Sequence, residues 1–409
     1  MSAPRPPAPP PSLGSPDAPF DHVLVGAGCA GLSLAVQLSR AFPEARTLLV
    51  DPGFGDVDDR TFAFWCEGEP PLAGAVEHSW SRIRLAAPSR QVEGRLTRHR
   101  YHVIGGVGFR EACFAALEGD GRTFLRLGRA DEVVTEDHRA VVRGPGLEVH
   151  ARWAFDSRLD GAEPPPDPRH VAVRQRFLGW EVETEVDTFD PGEVVLFDFR
   201  TDQGEGDVRF VYVLPWTARR ALVEHVAMHE CDAKGALRAY LAEVHPGVPY
   251  RIARVEAGDS PLTDAPFVRR AGPRVLRVGI AGGRLKPSSG YAFVRIWEDA
   301  AAIVASLRDA GHPFELPADG PGFRLLDGLL LRVMEGRPAS MPHVFLRMFE
   351  RNPPDRVLSF LDERVGLSEV LSLGTRLPIA PFAEALSGSL RARIAEALRR
   401  LTAPIEYED

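Results

Sequence analysis

Residues 21–32 read DHVLVGAGCAGL, a short apolar run that leads directly into three spaced glycines, Gly26, Gly28 and Gly31. The apolar run predicts a β-strand, and the small-residue segment after the glycines predicts an α-helix. A second apolar run, LLVD, ends in Asp51, twenty positions after Gly31. Strand, glycine-rich turn, helix, strand and acid together predict a Rossmann-like dinucleotide-binding unit.

Each residue of this unit has a mechanical role. Gly26 permits the tight turn, Gly28 lets a pyrophosphate approach the backbone, and Gly31 lets the helix pack close to the strand. The helix N-terminus offers N–H groups and partial positive charge to the phosphates. Asp51 can accept hydrogen bonds from a ribose diol, and its charge disfavours NADP. Taken alone, the unit leaves NAD and FAD open.

Composition limits the function classes. The chain has 409 residues, enough for two or three domains, and its formal net charge of −8 argues against a nucleic-acid-binding protein. The four cysteines show neither CxxC nor zinc-ligand spacing, so we predict a reduced, cytoplasmic protein without a bound metal. No run of eighteen apolar residues predicts a membrane span. Residues 1–18 are rich in Pro and Ala and predict a disordered leader.

A second glycine-rich junction follows the strand-like residues 274–280 and reads GGRLKPSSG at residues 282–290. Helical periodicity begins at residue 291. Two such junctions with a sheet between them indicate a flavoprotein, in which the first turn binds the ADP half of FAD and the second binds the ribityl chain and isoalloxazine ring. The predicted cofactor-binding residues here are Gly282, Gly283, Lys286, Pro287, Ser288 and Gly290. Lys286 would either offset the charge of an anionic flavin or form an exposed ion pair.

The remaining patterns predict a discontinuous α/β architecture. An FAD-binding domain is predicted from residues 19–55, 100–160 and 273–310. Strand-like residues 56–99 and 165–272 predict an inserted antiparallel sheet that binds substrate, and residues 311–409 predict helices. Two apolar helical stripes after residue 325 would be either core or a membrane-docking surface.

Several further segments fit one family in the same order. They read RTFAFW at residues 60–65, QRFLGWEV at 175–182, VLFDFR at 195–200, RFVYVLP at 209–215, ALVE at 221–224 and AGGRLKPSSGYAF at 281–293. With the first glycine-rich turn, these segments make the chain resemble the bacterial lycopene β-cyclases, FAD-containing enzymes of carotenoid synthesis.

The resemblance implies a glutathione-reductase-like FAD domain with an inserted sheet and a helical end. It implies reduced FAD, NAD(P)H as the reductant, and lycopene drawn from the inner membrane by a peripherally bound protein. The implied reaction is the acid-initiated, non-redox cyclisation of ψ end groups to β-ionone rings, and the family's catalytic acid falls on Glu224. The family usually has a second acid and a Thr next, whereas this chain has His225 and Val226.

Cyclisation needs a strong acid in an apolar pocket, stabilisation of a cation and exclusion of water. Apolar neighbours surround Glu224 in its strand, and burial would raise the pKa of its carboxyl; a solvent-facing glutamate is the alternative. His225 should point to the opposite face and be structural. Asp198 and Arg200 would form a buried pair or line the substrate entrance. The residues that would offer π faces to a cation, or simply pack in the core, are Tyr212, Trp216 and Phe293.

Other functions remain open at this point. An FAD-dependent monooxygenase or oxidoreductase acting on an apolar isoprenoid could use the same scaffold, with net consumption of NAD(P)H. A cyclase of another isoprenoid chain is a second alternative. A non-catalytic protein that binds flavin or an isoprenoid is a third, suggested by the missing second acid.

Overall fold

The structure, a computed structural model, describes residues 4–53, 60–378 and 380–387. Its strands in chain order are β1 Phe20–Val25, β2 Thr47–Asp51, β3 Thr61–Glu67, β4 His78–Trp80, β5 Arg82–Ala87, β6 Arg90–Arg95, β7 His99–Gly105, β8 Thr123–Leu127, β9 Glu132–Glu136, β10 Arg139–Gly144, β11 Leu147–Asp156, β12 Ala172–Thr184, β13 Glu193–Asp198, β14 Arg209–Thr217, β15 Arg220–Ala227, β16 Tyr250–Thr263, β17 Arg270–Gly272 and β18 Val275–Arg277. Its helices are α1 Cys29–Ala41, α2 Gly106–Leu117, α3 Ala233–Val244, α4 Phe293–Ala310, α5 Pro321–Gly336, α6 Met341–Arg351, α7 Pro354–Leu361 and α8 Leu367–Gly374. The predictions for residues 54–59 and 388–409 lie outside the described residues.

The first sheet forms the predicted Rossmann-like domain. Its strand order is β17-β18-β11-β1-β2-β8, with parallel pairing from β18 to β8, and the hairpin β9–β10 adds to β11. The apolar run of β1 is continuous because both faces of this sheet are covered. Leu24 packs with α1, α2 and α4, whereas Val23 and Val25 face a separate apolar cluster on the other side.

The second sheet is the predicted insertion, built from residues 82–95 and 172–263. Its strand order is β16-β12-β15-β14-β13-β5-β6. We predicted an antiparallel sheet, but β5 and β13 pair in parallel, so the sheet is mixed. The difference arises because β5 comes from an earlier part of the chain. Three further strands form a small sheet in the order β3-β7-β4. Along the chain, β3 and β4 precede the β5–β6 hairpin and β7 follows it.

The C-terminal helices cover one face of the second sheet, while α3 packs on the other. The two apolar stripes supply this cover: Val333 and Met334 of α5, and Phe345 and Phe349 of α6, are buried. The interpretation of these stripes as a membrane-docking surface is therefore wrong, because the sheet already occupies them. Within the described ranges, no helix has both the length and the apolar character needed to cross a bilayer.

Helix α7 also holds the small sheet. Asp355, in its first turn, accepts hydrogen bonds from the backbone N–H groups of Thr97 (2.8 Å), Arg98 (3.1 Å) and His99 (2.9 Å). The Thr97 hydroxyl donates a further bond of 2.7 Å. These donors lower the pKa of the Asp355 carboxyl well below its usual value, although burial alone would raise it. The carboxylate thus links the C-terminal helices to the turn between β6 and β7.

The predicted disorder of residues 1–18 is wrong from Pro7 onward. The Pro7 carbonyl accepts a hydrogen bond from the Leu125 N–H (2.9 Å), and the Gly14 carbonyl accepts one from the His150 N–H (2.8 Å). Leu13 packs against the first sheet. The prediction relied on the Pro-rich composition alone. It was wrong because Pro carbonyls still accept hydrogen bonds from a neighbouring strand.

Candidate functional site

The first glycine-rich turn leaves space where a ligand would approach the backbone. Gly26 adopts a φ of 98°, and a Cβ there would overlap the Ser157 hydroxyl. A Cβ on Gly31 would overlap the Gly26 carbonyl oxygen, which explains the close packing of α1 on β1. A Cβ on Gly28, by contrast, would meet no atom within 4 Å. The open side of the turn is therefore at Gly28, the position predicted to face a pyrophosphate.

Asp51 ends β2 beside this turn. One of its carboxylate oxygens accepts a hydrogen bond from the Ala27 N–H (2.7 Å), and the other accepts one from the Gly53 N–H (2.9 Å). The acid therefore fixes the turn, and its binding of a ribose stays a prediction.

The second glycine-rich junction contacts the first. Between β18 and α4, a 3₁₀ turn at Gly279–Gly282 begins with Gly279 at a φ of 64°. A Cβ on Gly279 would lie 2.7 Å from the Ala30 Cβ in the first turn of α1. Gly290 has a φ of 73°, and a Cβ there would overlap the Gln175 amide. The structure thus brings together the two junctions that the sequence places about 250 residues apart.

The residues of the second junction face different directions. Gly290 lines the cavity described below, whereas Gly282, Gly283 and Pro287 line a separate cleft. The buried Ser288 hydroxyl hydrogen-bonds Asp327. The cofactor contacts predicted for these residues stay predictions.

Lys286 is buried, with 3% of its surface exposed. Its ammonium group lies 2.8 Å from the Asp327 carboxylate of α5 and 2.7 Å from the Glu363 carboxylate. The exposed ion pair considered from the sequence is therefore wrong. Lys286 instead ties the second junction to the C-terminal helices, and a direct effect on a flavin stays a prediction.

A cavity of about 370 Å³ lies between the second sheet and the second junction. Glu224 of β15 and Glu256 of β16 line it together with seven aromatic side chains: Phe62, Phe177, Phe197, Phe210, Tyr212, Tyr291 and Phe293. Glu224 is partly buried and lies on the same face as its apolar neighbours Leu222 and Val226. The Glu224 carboxyl therefore faces this cavity, which agrees with the buried alternative and not with the solvent-facing one.

The pKa of Glu224 is raised well above its usual value, first because burial disfavours the charged form. The negative charge of Glu256 and a hydrogen bond between the two side chains raise this pKa further. The positive charge of Arg254 opposes them. Glu224 is therefore protonated at pH values where an exposed glutamate is ionised.

Glu256 was missed by sequence analysis. It is 4% exposed, and its Oε2 accepts hydrogen bonds from the Thr61 hydroxyl (2.7 Å) and from Arg254 (2.6 Å). The register places both Glu224 and Glu256 opposite Gly179 of β12, one on each side. A glycine inside a strand, as in the FLGWEV segment, was the available signal, because it marks close approach of neighbouring groups.

Three tyrosines connect the cavity to the small sheet. Tyr212 lies opposite Glu224 in the sheet register, and its hydroxyl hydrogen-bonds Tyr101. The hydroxyl oxygens of Tyr101 and Tyr291 are 2.6 Å apart. Burial raises the pKa of Tyr101 and of Tyr212 well above the usual value, so these phenols stay protonated.

The other candidates fall outside the cavity. Trp216 is not among its lining residues; its ring lies 5.1 Å from the Arg220 guanidinium. His225 is buried on the opposite sheet face, and burial lowers its pKa to about 4, which supports a structural role. Asp198 and Arg200 form a buried pair at 2.6 Å, and the Tyr240 hydroxyl of α3 donates to Asp198 (2.8 Å). This pair braces the sheet.

Solved structures share this arrangement of domains. A geranylgeranyl bacteriochlorophyll reductase-like protein from Thermoplasma acidophilum has a TM-score of 0.59 at 14% identity, covering 90% of this chain and 99% of that one. A flavin-dependent brominase has a TM-score of 0.58 at 12% identity, covering 93% and 99%. The fold is thus that of the α/β flavoproteins with a Rossmann-like FAD domain, which confirms the predicted fold class.

Within this class, the chain belongs to the lycopene cyclase protein family, whose model matches residues 21–387. The lycopene beta-cyclase of Paracoccus sp. is 26% identical over 389 residues, which cover 90% of this chain and 96% of that protein. The resemblance seen in the sequence motifs is confirmed.

Proposed function

We propose that this protein is a lycopene β-cyclase of the intramolecular lyase or isomerase class, which converts the ψ ends of lycopene to β-ionone rings and yields γ-carotene and β-carotene. One observation carries this proposal within the family: Glu224, whose carboxyl has a pKa raised by burial, lines a cavity together with seven aromatic side chains. Protonation of an alkene requires such an acid, and an apolar enclosure keeps water from the cation.

The chain fits FAD at the first turn. Open space beside Gly28 and the N–H groups at the start of α1 suit a pyrophosphate, and Asp51 suits the ribose. We propose that the second junction holds the rest of the cofactor. Bound FAD, reduced by NAD(P)H, would supply negative charge near a cation without net electron transfer.

The residues of the cavity perform three tasks in this scheme. Glu224 donates its proton to the terminal double bond, and an internal double bond then attacks the resulting carbocation to close the ring. The faces of Tyr212 and Phe293 stabilise the positive charge. Loss of a ring proton to a carboxylate completes the reaction, so the substrate and product have the same composition.

We propose further that the protein works on the cytoplasmic side of the inner membrane and binds it peripherally. Lycopene is a hydrocarbon and partitions into the bilayer, so the enzyme must receive it from there.

The test is co-expression in a lycopene-accumulating bacterium, followed by pigment analysis. We expect β-carotene from the wild type, and a loss of at least about 100-fold in Glu224→Gln, because removing a general acid costs on this order. Glu185→Gln, at an exposed position nearby, is the matched control and should cyclise normally.

Unchanged lycopene with soluble, FAD-loaded protein would overturn the assignment of this substrate. Consumption of one NAD(P)H for each product molecule would instead identify an oxidoreductase. A catalytic reductant requirement, without stoichiometric consumption, supports the cyclase.

A further inference from the structure

Glu224 and Glu256 lie on two strands separated by one intervening strand. Gly179 of β12 is the register partner of Glu224 on β15 and of Glu256 on β16. Neighbouring strands are about 4.8 Å apart, so the two backbones are roughly 10 Å apart and the side chains must lean towards each other to meet. A Cβ on Gly179 would lie 2.9 Å from the Glu256 Cγ and 3.1 Å from the Glu224 Oε2. Both carboxyl side chains therefore fill the space that this glycine leaves.

The two carboxyl groups have different partners. The Glu256 Oε2 accepts one bond from the Thr61 hydroxyl and one from the Arg254 guanidinium. Arg254 also donates to the Thr61 hydroxyl oxygen (2.9 Å) and to Glu181 (3.1 Å), which fixes its orientation. Glu224 forms no ion pair within 4.0 Å in the described part of the chain, and its neighbour is Glu256 itself.

Two carboxyl groups that share a site cannot both be ionised without strong repulsion. Arg254 forms an ion pair with Glu256 and not with Glu224, so we assign the shared proton to Glu224. We propose that the pair holds one proton at neutral pH, and that Glu256 is the positioning residue that keeps this proton on Glu224. The inference rests on the proposed function and names the proton source within it.

The reaction balances with this pair alone. The O–H bond of Glu224 breaks, and its proton forms a C–H bond with the electron pair of the terminal double bond. Both carboxylates are then negative and face the carbocation, with Arg254 offsetting part of their charge. When the ring C–H bond breaks, the electron pair forms the ring double bond and the proton returns to Glu224. Nothing is oxidised or reduced.

The charged groups that surround the pair are themselves ion-paired or hydrogen-bonded. Glu181 accepts hydrogen bonds from Arg220 and Arg254, and Asp259 accepts two from Arg174. Arg60 also lines the cavity. A further acid, Asp362, lines the adjoining pocket beside Tyr291 and Phe293, and burial raises the pKa of its carboxyl to about 7. The phenols that face the pair are Tyr101, Tyr212 and Tyr291, and burial keeps the pKa of each above its usual value.

The first measurement needs no lycopene. The infrared band of a protonated carboxyl is recorded against pH on the FAD-loaded protein, as a difference between the wild type and Glu224→Gln. We expect the wild type to have one protonated carboxyl more than Glu224→Gln near neutral pH. Asp362, whose pKa burial raises to about 7, contributes to both proteins and cancels in the difference. Removing the neighbouring charge in Glu256→Gln should lower the titration midpoint of the band by about one pH unit or more. A difference spectrum without this band, or a midpoint unmoved in Glu256→Gln, would overturn the shared proton.

The second measurement is the pH profile of cyclisation. In Glu256→Gln the fall in activity at alkaline pH should move to lower pH by about one unit or more. In Glu256→Asp this fall should lie closer to that of the wild type. Glu183→Gln is the control, because Glu183 of β12 pairs with Arg251 of β16 in the same sheet but outside the cavity. Gly179→Ala should act like Glu256→Gln by wedging the two side chains apart.

The two proposals fail in distinguishable ways. If the infrared result holds and lycopene is not converted, the substrate assignment is wrong and the proton pair stands. If lycopene is converted and Glu256→Gln has the wild-type profile, the pair is wrong and the cyclase stands. FAD content and melting temperature identify a variant that fails to fold. If Glu256→Gln fails in this way, the titration midpoint of Glu256→Asp tests the shared proton instead.

Discussion

The buried carboxyl of Glu224 makes the stability of the folded protein depend on pH. Its pKa in the folded protein is raised, chiefly by burial, above the value of about 4.3 in the unfolded chain. The folded state therefore binds this proton more tightly. The stabilising contribution is complete below the unfolded pKa and is lost as pH rises towards the folded pKa.

We accordingly expect Glu224→Gln to abolish cyclisation and yet to melt higher than the wild type at pH 8, by about 1–3 °C. The neutral amide removes the cost of placing a second carboxylate beside Glu256. At pH 4 the advantage should vanish, because the wild-type carboxyl is then protonated in both states. Thermal unfolding at the two pH values checks this. A variant less stable than the wild type at pH 8 would contradict it.

At the scale of single residues, sequence analysis singled out Glu224 but not Glu256. The apolar run around Glu224 predicted burial, and strand alternation placed His225 on the far face. Glu256 could not be found in this way, because it meets Glu224 through β12, and strand pairing over such separations leaves no local pattern. Trp216, within β14, packs against the core, which was one of its two alternatives, because an aromatic residue in a strand does not reveal which face it will cover.

At the scale of elements, substitutions at Gly28 and Gly31 of the first turn distinguish a loss of FAD binding from a loss of folding. Gly28→Val should retain less than about one tenth of the wild-type FAD, because its side chain would occupy the space open to a pyrophosphate. The FAD-free form of this variant should melt within about 1 °C of the FAD-free wild type, since a Cβ added at this position meets nothing within 4 Å.

Gly31→Val is the matched comparison. Its Cβ would overlap the Gly26 carbonyl, so both folding and flavin content should fall. Absorbance of bound flavin and melting of the FAD-free proteins provide the two readouts. Normal flavin content in Gly28→Val would show that the cofactor does not approach this turn.

Element boundaries were predictable where local chemistry sets them. The first turn, the helix after it and Asp51 at the end of β2 were all expected from spacing. The strand predicted for residues 274–280 ends at Arg277, because Gly279 adopts a positive φ and starts a 3₁₀ turn. The parallel pairing of β5 with β13 had no local signal.

For the whole molecule, Lys286 joins the flavoprotein core to the C-terminal helices. Lys286→Met would leave the buried Asp327 carboxylate without its cationic partner, whereas the partly exposed Glu363 would keep its ion pair with Arg295. We expect a loss of about 3 kcal/mol in the free energy of unfolding, as when one partner of a buried pair is removed. Lys286→Arg should lose less. Asp309→Asn, which breaks an exposed pair with Arg308, should change little.

Denaturant unfolding of the FAD-free proteins measures these differences. A free energy of unfolding for Lys286→Met within about 0.5 kcal/mol of the wild type would contradict a stabilising role for Lys286. The sequence predicted helices here but left open whether their apolar stripes form core or a membrane-docking surface. Periodicity identifies the apolar face of a helix; it does not identify the sheet that covers that face.

The bonds between Asp355 and residues 97–99 also matter during synthesis. The carboxylate is made 256 residues after the His99 N–H that it binds, a delay on the order of 10–50 s at ribosomal rates. Throughout that interval the aromatic face of the second sheet emerges without the helices that will shield it. Each nascent chain thus passes through a long window of aggregation risk, and its yield in a cell depends on chaperone supply as well as on final stability.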